Sequence, residues 1–305
     1  MRNRFAKNIK NLALKRKDIV LLSGDIGNKM FDEFKEIAED RFFNCGIAEG
    51  SMMSIAAGLG LSGFRPFVYT ITPFTTTRCL EQIKIGGCYH KSSLIIIGTG
   101  SGLSYSELGA THHSFEDIGI IRTLPDIKIF TPADNVELDR SMNEALEYEG
   151  PSYIRIGKKG EPLVHPESTD FSNIIKHGED IALICSGPII NEALEAYENL
   201  YKSGIKIAIV SIEKIKPINE ELLLEISEKY SHWFVLEEHS IIGGVGDSII
   251  SFVHEKNLES SIKVYKIGIP DKFIHRLGDQ SWTRKLIGID HHGIKERVEK
   301  LVCKN

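Results

Sequence analysis

Arg41-Phe42-Phe43-Asn44-Cys45-Gly46-Ile47-Ala48-Glu49-Gly50, running on through Ser51-Met52-Met53-Ser54-Ile55-Ala56-Ala57-Gly58-Leu59-Gly60-Leu61, is the stretch that decides the fold. Arg41 to Gly46 reads as a short strand, and Glu49 to Leu61 places apolar and small residues at helix-like spacing. The join sets a carboxylate where a strand gives way to a helix. In an open α/β sheet that is the carboxyl end of a parallel strand, the usual place for a ligand. Taken alone, Glu49 is explained equally well as a first-turn acid that suits the helix macrodipole.

Working outward, short apolar runs alternate with helical patterns. Val20 to Ser23, Ser92 to Gly98, Lys128 to Thr131 and Tyr153 to Ile156 read as strands; Phe5 to Leu14, Thr77 to Cys88, the segment after His112, and Asn135 to Tyr148 read as helices. The continuous, β-branched strands imply a sheet buried on both faces, hence a mainly parallel, doubly wound α/β domain over 1–160. From 161 to 178 the pattern dissolves into Lys, Gly, Pro, His, Ser and Asp, which reads as a linker. A second, smaller α/β domain follows over 179–305. Its strands are Ile181 to Ser186, Lys206 to Ile212, Trp233 to Glu237 and Lys263 to Ile267; its helices are Ile189 to Lys202, Asn219 to Lys229 with Asn219 as N-cap, one from Gly243, and Gly293 to Val302. At 305 residues the chain is long enough for two such domains.

Composition excludes several classes. Net charge is -5 with no block of like charge, so nothing here is built to hold nucleic acid. No apolar run is long enough to span a bilayer and Met1 to Lys17 lacks a signal-peptide core, so a cytoplasmic location and no membrane association are expected. Five scattered cysteines, Cys45, Cys79, Cys88, Cys185 and Cys303, contain no C-x-x-C pair and read as reduced packing residues.

Gly46-Ile47-Ala48-Glu49-Gly50, followed by Ala56-Ala57-Gly58-Leu59-Gly60-Leu61-Ser62-Gly63-Phe64-Arg65-Pro66-Phe67-Val68, resembles the pyrimidine-binding domain of the thiamine-diphosphate-dependent transketolase family. Transketolases, deoxyxylulose-phosphate synthases and the beta subunits of 2-oxo-acid dehydrogenases share that domain. The resemblance implies that Glu49 hydrogen-bonds a ring nitrogen of the cofactor's aminopyrimidine. A carboxyl group in a dry pocket shares a proton with that nitrogen and favours the imino tautomer, which activates the thiazolium carbon.

Further matches follow in order. Tyr69-Thr70-Ile71-Thr72-Pro73-Phe74 and Arg78 to Lys84 resemble the aromatic loop and helix that wall the pyrimidine, with Phe74 stacking on the ring. Ile71 stands where many relatives carry a second aromatic, which makes the stacking one-sided. Asp25, in Gly24-Asp25-Ile26-Gly27, is a further cofactor-contact candidate. Gly109-Ala110-Thr111-His112-His113 resembles the family's G-x-T-H loop, which assigns His112 to substrate hydrogen bonding and proton transfer and His113 to the place of a relative's Gln. Adjacent histidines with no third donor nearby are a weak metal signal, and no metal ligand is assigned in this chain. Ser186-Gly187, Ile215 to Ile218, Glu237 to Gly246 and Gly268 to Phe273 resemble the transketolase C-terminal domain, where Glu238 and His239 have a structural or subunit-contact role.

What is missing also carries information. Relatives bind the diphosphate through magnesium on a Gly-Asp-Gly-bearing domain that this sequence does not display, and magnesium demands near-octahedral oxygen ligands. The resemblance therefore implies a partner, an N-terminal transketolase subunit that supplies the magnesium ligands, in a homodimer or heterotetramer acting on small sugar substrates. Sugar-phosphate transketolases carry an Asp four residues before the matching His and a His twelve before it; here those places hold Leu108 and Gly100. A hydroxyl buried unpaired beside a leucine costs roughly 1 to 3 kcal/mol, which puts standard pentose phosphates in doubt. Lys29, Arg155 and Lys158 remain to offer positive charge to an anionic ligand, or are solvated surface charges. The expected function is transfer of a two-carbon ketol unit by the C-terminal subunit of a split transketolase; the alternative is a 2-oxo-acid dehydrogenase beta subunit or a deoxyxylulose-phosphate-synthase-like carboligase.

Overall fold

Val20-Leu21-Leu22 and Ile95-Ile96-Ile97 carry no polar side chain to turn towards water, and both runs form fully buried strands. In the computed structural model, which describes residues 1–166 and 171–303, they belong to a seven-stranded sheet. In chain order the strands are β1 (Ile19–Ser23), β2 (Phe42–Asn44), β3 (Arg65–Ile71), β4 (Ile95–Thr99), β5 (Lys128–Phe130), β6 (Ser152–Ile156), β7 (Ile174–Lys176), β8 (Ile181–Ser186), β9 (Ile207–Ser211), β10 (Lys214–Lys216), β11 (His232–Ser240) and β12 (Lys263–Ile269). The first sheet runs β10-β5-β6-β4-β3-β1-β2 and the second, five-stranded, runs β12-β11-β8-β9-β7. All neighbours are parallel except β10 on β5 and β7 on β9, the edge strand of each sheet. The expected two doubly wound α/β units are present, each with one antiparallel edge.

Three apolar cores hold these layers. One packs the Arg2–Lys15 and Asn135–Glu147 helices on the outer face of the first sheet; another packs the Ile190–Lys202 and His291–Val302 helices on the outer face of the second. The third lies between the sheets and joins Met52, Met53 and Ile83 to Ile184, Val210 and Trp233. The two domains thus share a core.

Several expectations are corrected. β3 sits between β1 and β4, in the middle of its sheet, where the sequence suggested the lead-in to a loop. Thr77 to Cys88 is a 3-10 turn, one α-turn and a π-helical segment Ile83–Tyr89. Its cause is close packing: a Cβ on Gly86 would stand 2.8 Å from the Ala57 side chain, so the segment winds widely to lie flat on the Glu49–Leu61 helix. Helices Asp32–Ala38 and Gln280–Ile287 also form. Within the expected linker, Ile174–Lys176 is a strand, while 167–170 lie outside the described residues. Asn219 does cap its helix, accepting from Leu222 N at 3.2 Å. Among the described residues no helix is long and apolar enough to cross a membrane. Cys79, Cys88 and Cys185 are buried and Cys303 is exposed; all five are free thiols.

Candidate active site

Glu49 opens the Glu49–Leu61 helix, whose buried stripe Met52, Met53, Ala56 and Ala57 fixes its rotation against β3. That rotation turns the carboxylate inward, leaving it 3% exposed. Phe74 comes from the short turn Thr72–Thr75 at the end of β3. Pro73 fixes the first dihedral of this turn, and the Thr75 and Thr76 hydroxyls bind the Thr72 carbonyl oxygen at 3.0 and 2.7 Å. Ile71, the last residue of β3, lies buried just before it. One turn on, the Arg78 guanidinium forms an ion pair with Glu49 (Nη1 to Oε2 2.8 Å) and lies over the Phe74 ring, 4.0 Å from its centroid. A cation on an aromatic face contributes about 0.5 to 1 kcal/mol at such a part-exposed position.

Beyond Phe74 the side chains continue as an arc. The His112 ring meets Phe74 edge-on at 5.3 Å, and Tyr105 at 6.1 Å. Lys158 Nζ stands 4.2 Å from the Tyr105 centroid and 3.3 Å from Glu107 Oε1. Lys158 and Glu107 line an open cleft of about 480 Å³ that reaches Gln280 and Arg284 of the second domain. His112 Nδ1 lies 2.9 Å from the Thr111 hydroxyl. Burial, and after it the charges of Arg78 and His113, hold the His112 imidazole below the ordinary histidine range, which favours the neutral ring that accepts and donates hydrogen bonds. Burial and the nearby Glu49 charge push the Cys79 thiol up to about 12, so it is not a thiolate nucleophile.

The structure thus brings Glu49, Phe74, Ile71, His112 and Lys158 to one end of the first sheet. Asp25 is exposed at the end of β1 in a left-handed conformation (φ 56°), accepting from Asn44 Nδ2 at 3.0 Å. Lys29 is exposed in the 3-10 turn after β1 and stands outside the arc. Arg155 is neither a surface charge nor open to a ligand. It is 2% exposed and binds Asp117 Oδ2, the Ser114 carbonyl and the Glu238 carbonyl at 2.7, 3.1 and 2.9 Å. Leu108 is half exposed, so the desolvation cost expected beside it does not arise in this chain alone. Gly100 has φ +72°, and a Cβ there would fall 2.0 Å from the Tyr105 ring; the space a larger side chain would fill belongs to Tyr105. Glu238 accepts from Leu103 N at 2.6 Å and Gln280 Nε2 at 2.8 Å, while His239 Nε2 accepts from Gly119 N at 3.2 Å. Both residues hold the domains together. Arg78, Tyr105 and Glu107 were missed; the spacing of Phe74 and Arg78, four apart and hence on one face of a turn, was the available signal for Arg78.

The pyrimidine-binding domain of transketolase matches residues 1–161, and the transketolase C-terminal domain matches residues 172–294. The chain belongs to the transketolase family. One of the two apulose-4-phosphate transketolase subunits of Phocaeicola vulgatus is 32% identical, over 99% of this chain and 97% of its own. The 1-deoxy-D-xylulose-5-phosphate synthase of Caldanaerobacter subterraneus subsp. tengcongensis is 31% identical over 96% of this chain but only 47% of its own. A split-gene transketolase solved as an inactive beta4 tetramer superposes with a TM-score of 0.85 at 32% identity, covering 98% of this chain and 96% of that one. A transketolase-type transferase activity follows, and transketolase membership implies thiamine diphosphate.

Proposed function

We propose that the chain is the C-terminal subunit of a split transketolase that moves a two-carbon ketol unit between sugar-type substrates, working with a second subunit that holds the diphosphate and magnesium. The observation that carries this reading is the meeting of a buried acid, an aromatic face and a neutral-leaning histidine, Glu49, Phe74 and His112, at one end of a transketolase pyrimidine-binding sheet.

These residues fit an aminopyrimidine: the carboxylate is shielded from water and stands beside the open edge of a half-buried ring. Thiamine diphosphate, when bound, supplies the carbon nucleophile that accepts the ketol unit. On this reading Glu49 holds a proton against a ring nitrogen, Phe74 faces the ring, Ile71 closes the wall beneath it, and Asp25 stands at the neighbouring strand end. His112 hydrogen-bonds the substrate and moves its protons. Lys158, at the mouth of the interdomain cleft, meets an anionic group such as a sugar phosphate. Leu108 and Gly100 leave the sugar without the Asp and His of sugar-phosphate transketolases, which favours a sugar other than the common pentose phosphates. The relative from Phocaeicola vulgatus, named for apulose 4-phosphate, supports a phosphorylated but non-standard substrate.

The exposed side of the Glu49–Leu61 helix, Ser51, Ser54, Ile55 and Gly58, with Ile47 80% exposed nearby, is small and apolar and suits a subunit interface. The beta4 tetramer of the split-gene relative supports self-association through such a face when the other subunit is absent.

The test is turnover in the complex reconstituted with a Gly-Asp-Gly-bearing subunit, using a panel of phosphorylated and deoxygenated sugars. Glu49→Gln is expected to lower turnover by about 100-fold or more with the fold intact. Near wild-type activity would remove Glu49 from its role. The synthase relative favours a second reading, a carboligase acting on a 2-oxo acid, and carbon dioxide release in the same assay would distinguish it.

A further inference from the structure

The two surfaces that the proposed cofactor site offers a pyrimidine are both occupied by one side chain of the protein. Arg78 Nη1 lies 2.8 Å from Glu49 Oε2, and the same guanidinium covers the Phe74 ring at 4.0 Å. The Glu49 side chain is 3% exposed and that of Arg78 45% exposed, so the carboxylate is fixed while the cation has a route out to water. The anchoring is also lopsided. Phe74 is tied by the threonine bonds of its turn, whereas Arg78 sits in the 3-10 turn Thr77–Cys79 that links this turn to the wide-wound segment behind it.

We propose that Arg78 is a positioning residue that gates the aminopyrimidine half-site: its guanidinium occupies the Glu49 oxygen and the Phe74 face until an aminopyrimidine displaces it. This inference rests on the reading of Glu49 and Phe74 given above. An oxygen facing a guanidinium cannot at the same time face a ring nitrogen, and a face covered by one planar group cannot stack another. Binding is therefore an exchange, and the affinity of the isolated chain is lowered by the fraction of time the gate stays shut. Once displaced, the guanidinium moves toward solvent and not into the core, because among the described residues its ion pair is with Glu49 alone.

The experiment is calorimetry on the full chain with 4-amino-5-aminomethyl-2-methylpyrimidine, a probe without diphosphate, so that neither magnesium nor the second subunit enters. Arg78→Met, which keeps the length and loses the cation, should bind this probe at least tenfold more tightly than the wild type. Arg78→Lys, whose ammonium cannot lie flat on Phe74 while paired to Glu49, should show a smaller gain of the same sign, and it carries the prediction if Arg78→Met does not fold. A residue that merely supported the fold would give the opposite sign, since its loss would weaken binding. Equal or weaker binding by the variants overturns the gate, and so does an absence of probe binding in every form, because an opened half-site must accept the ring. The role of Glu49 is judged separately, by turnover of Glu49→Gln in the reconstituted complex, so a failed gate and a failed site assignment are distinguishable.

Discussion

Arg155 and Asp117 form an ion pair whose side chains are 2% and 1% exposed, at the seam where β6, the Asp117–Arg122 helix and β11 meet. Truncating one member of a buried pair leaves the other charge unmet, which costs about 3 to 5 kcal/mol. Arg155→Met is expected to lose stability in that range, read from the denaturant midpoint. The pH dependence has a definite sign. Burial pushes the Asp117 carboxyl up, but Arg155, His239 and the hydrogen bonds from Arg155 and Tyr153 outweigh it, and the net shift is downward. A lowered carboxyl contributes stability above its unfolded pKa and loses it as pH falls through the folded one. The deficit of Arg155→Met should therefore be greatest near neutral pH and shrink on acidification; a deficit independent of pH would contradict the pairing. The run Tyr153-Ile154-Arg155-Ile156 already held the clue, because an arginine within a strand buried on both faces requires an internal anion. Its distant partner, thirty-eight residues earlier in sequence, carried no local mark. Glu49 was legible because its chemistry and its position at a strand-to-helix join are both local.

Among the elements, the loop after β4 shows how much a backbone conformation controls. Gly100 and Gly160 share a positive φ, +72° and +75°, but a Cβ on Gly160 meets nothing within 4 Å whereas one on Gly100 overlaps Tyr105. Gly160→Ala should cost about 1 to 2 kcal/mol from the left-handed backbone alone. Gly100→Ala should cost about 1 to 3 kcal/mol more for the overlap, and should also lower turnover by moving Tyr105 away from His112 and Lys158. Equal stability losses in thermal unfolding of the two variants would mean that the Tyr105 ring yields freely. Strand prediction failed where the chain itself was ambiguous. β3 begins Arg65-Pro66, and a proline lowers the expectation of a central strand even though burial of Phe67 to Ile71 carries it. β7 and β10 are three residues long and take their form from the sheets they edge, so no periodicity announces them.

For the whole molecule, two sheets share a core, and buried polar contacts from Glu238, His239 and Arg155 tie the domains into one frame around the interdomain cleft. That frame presents an acid, a ring and a histidine on one side only. It lacks the Gly-Asp-Gly-bearing half that relatives use for magnesium and diphosphate, and losing those charge-assisted contacts removes most of the cofactor's hold. The fold class and this division of labour were legible in the order of motifs along the chain; the shared core was not, because it joins residues far apart in sequence. If the account is right, two half-sites brought together act at high effective concentration, and affinity rises by orders of magnitude on assembly. The most direct measurement is calorimetry with thiamine diphosphate and magnesium, first on the isolated chain and then on its mixture with a Gly-Asp-Gly-bearing subunit. Weak binding alone, followed by tight, magnesium-dependent binding and turnover in the mixture, is the predicted result. Tight magnesium-dependent binding, or turnover, by the isolated chain would contradict it.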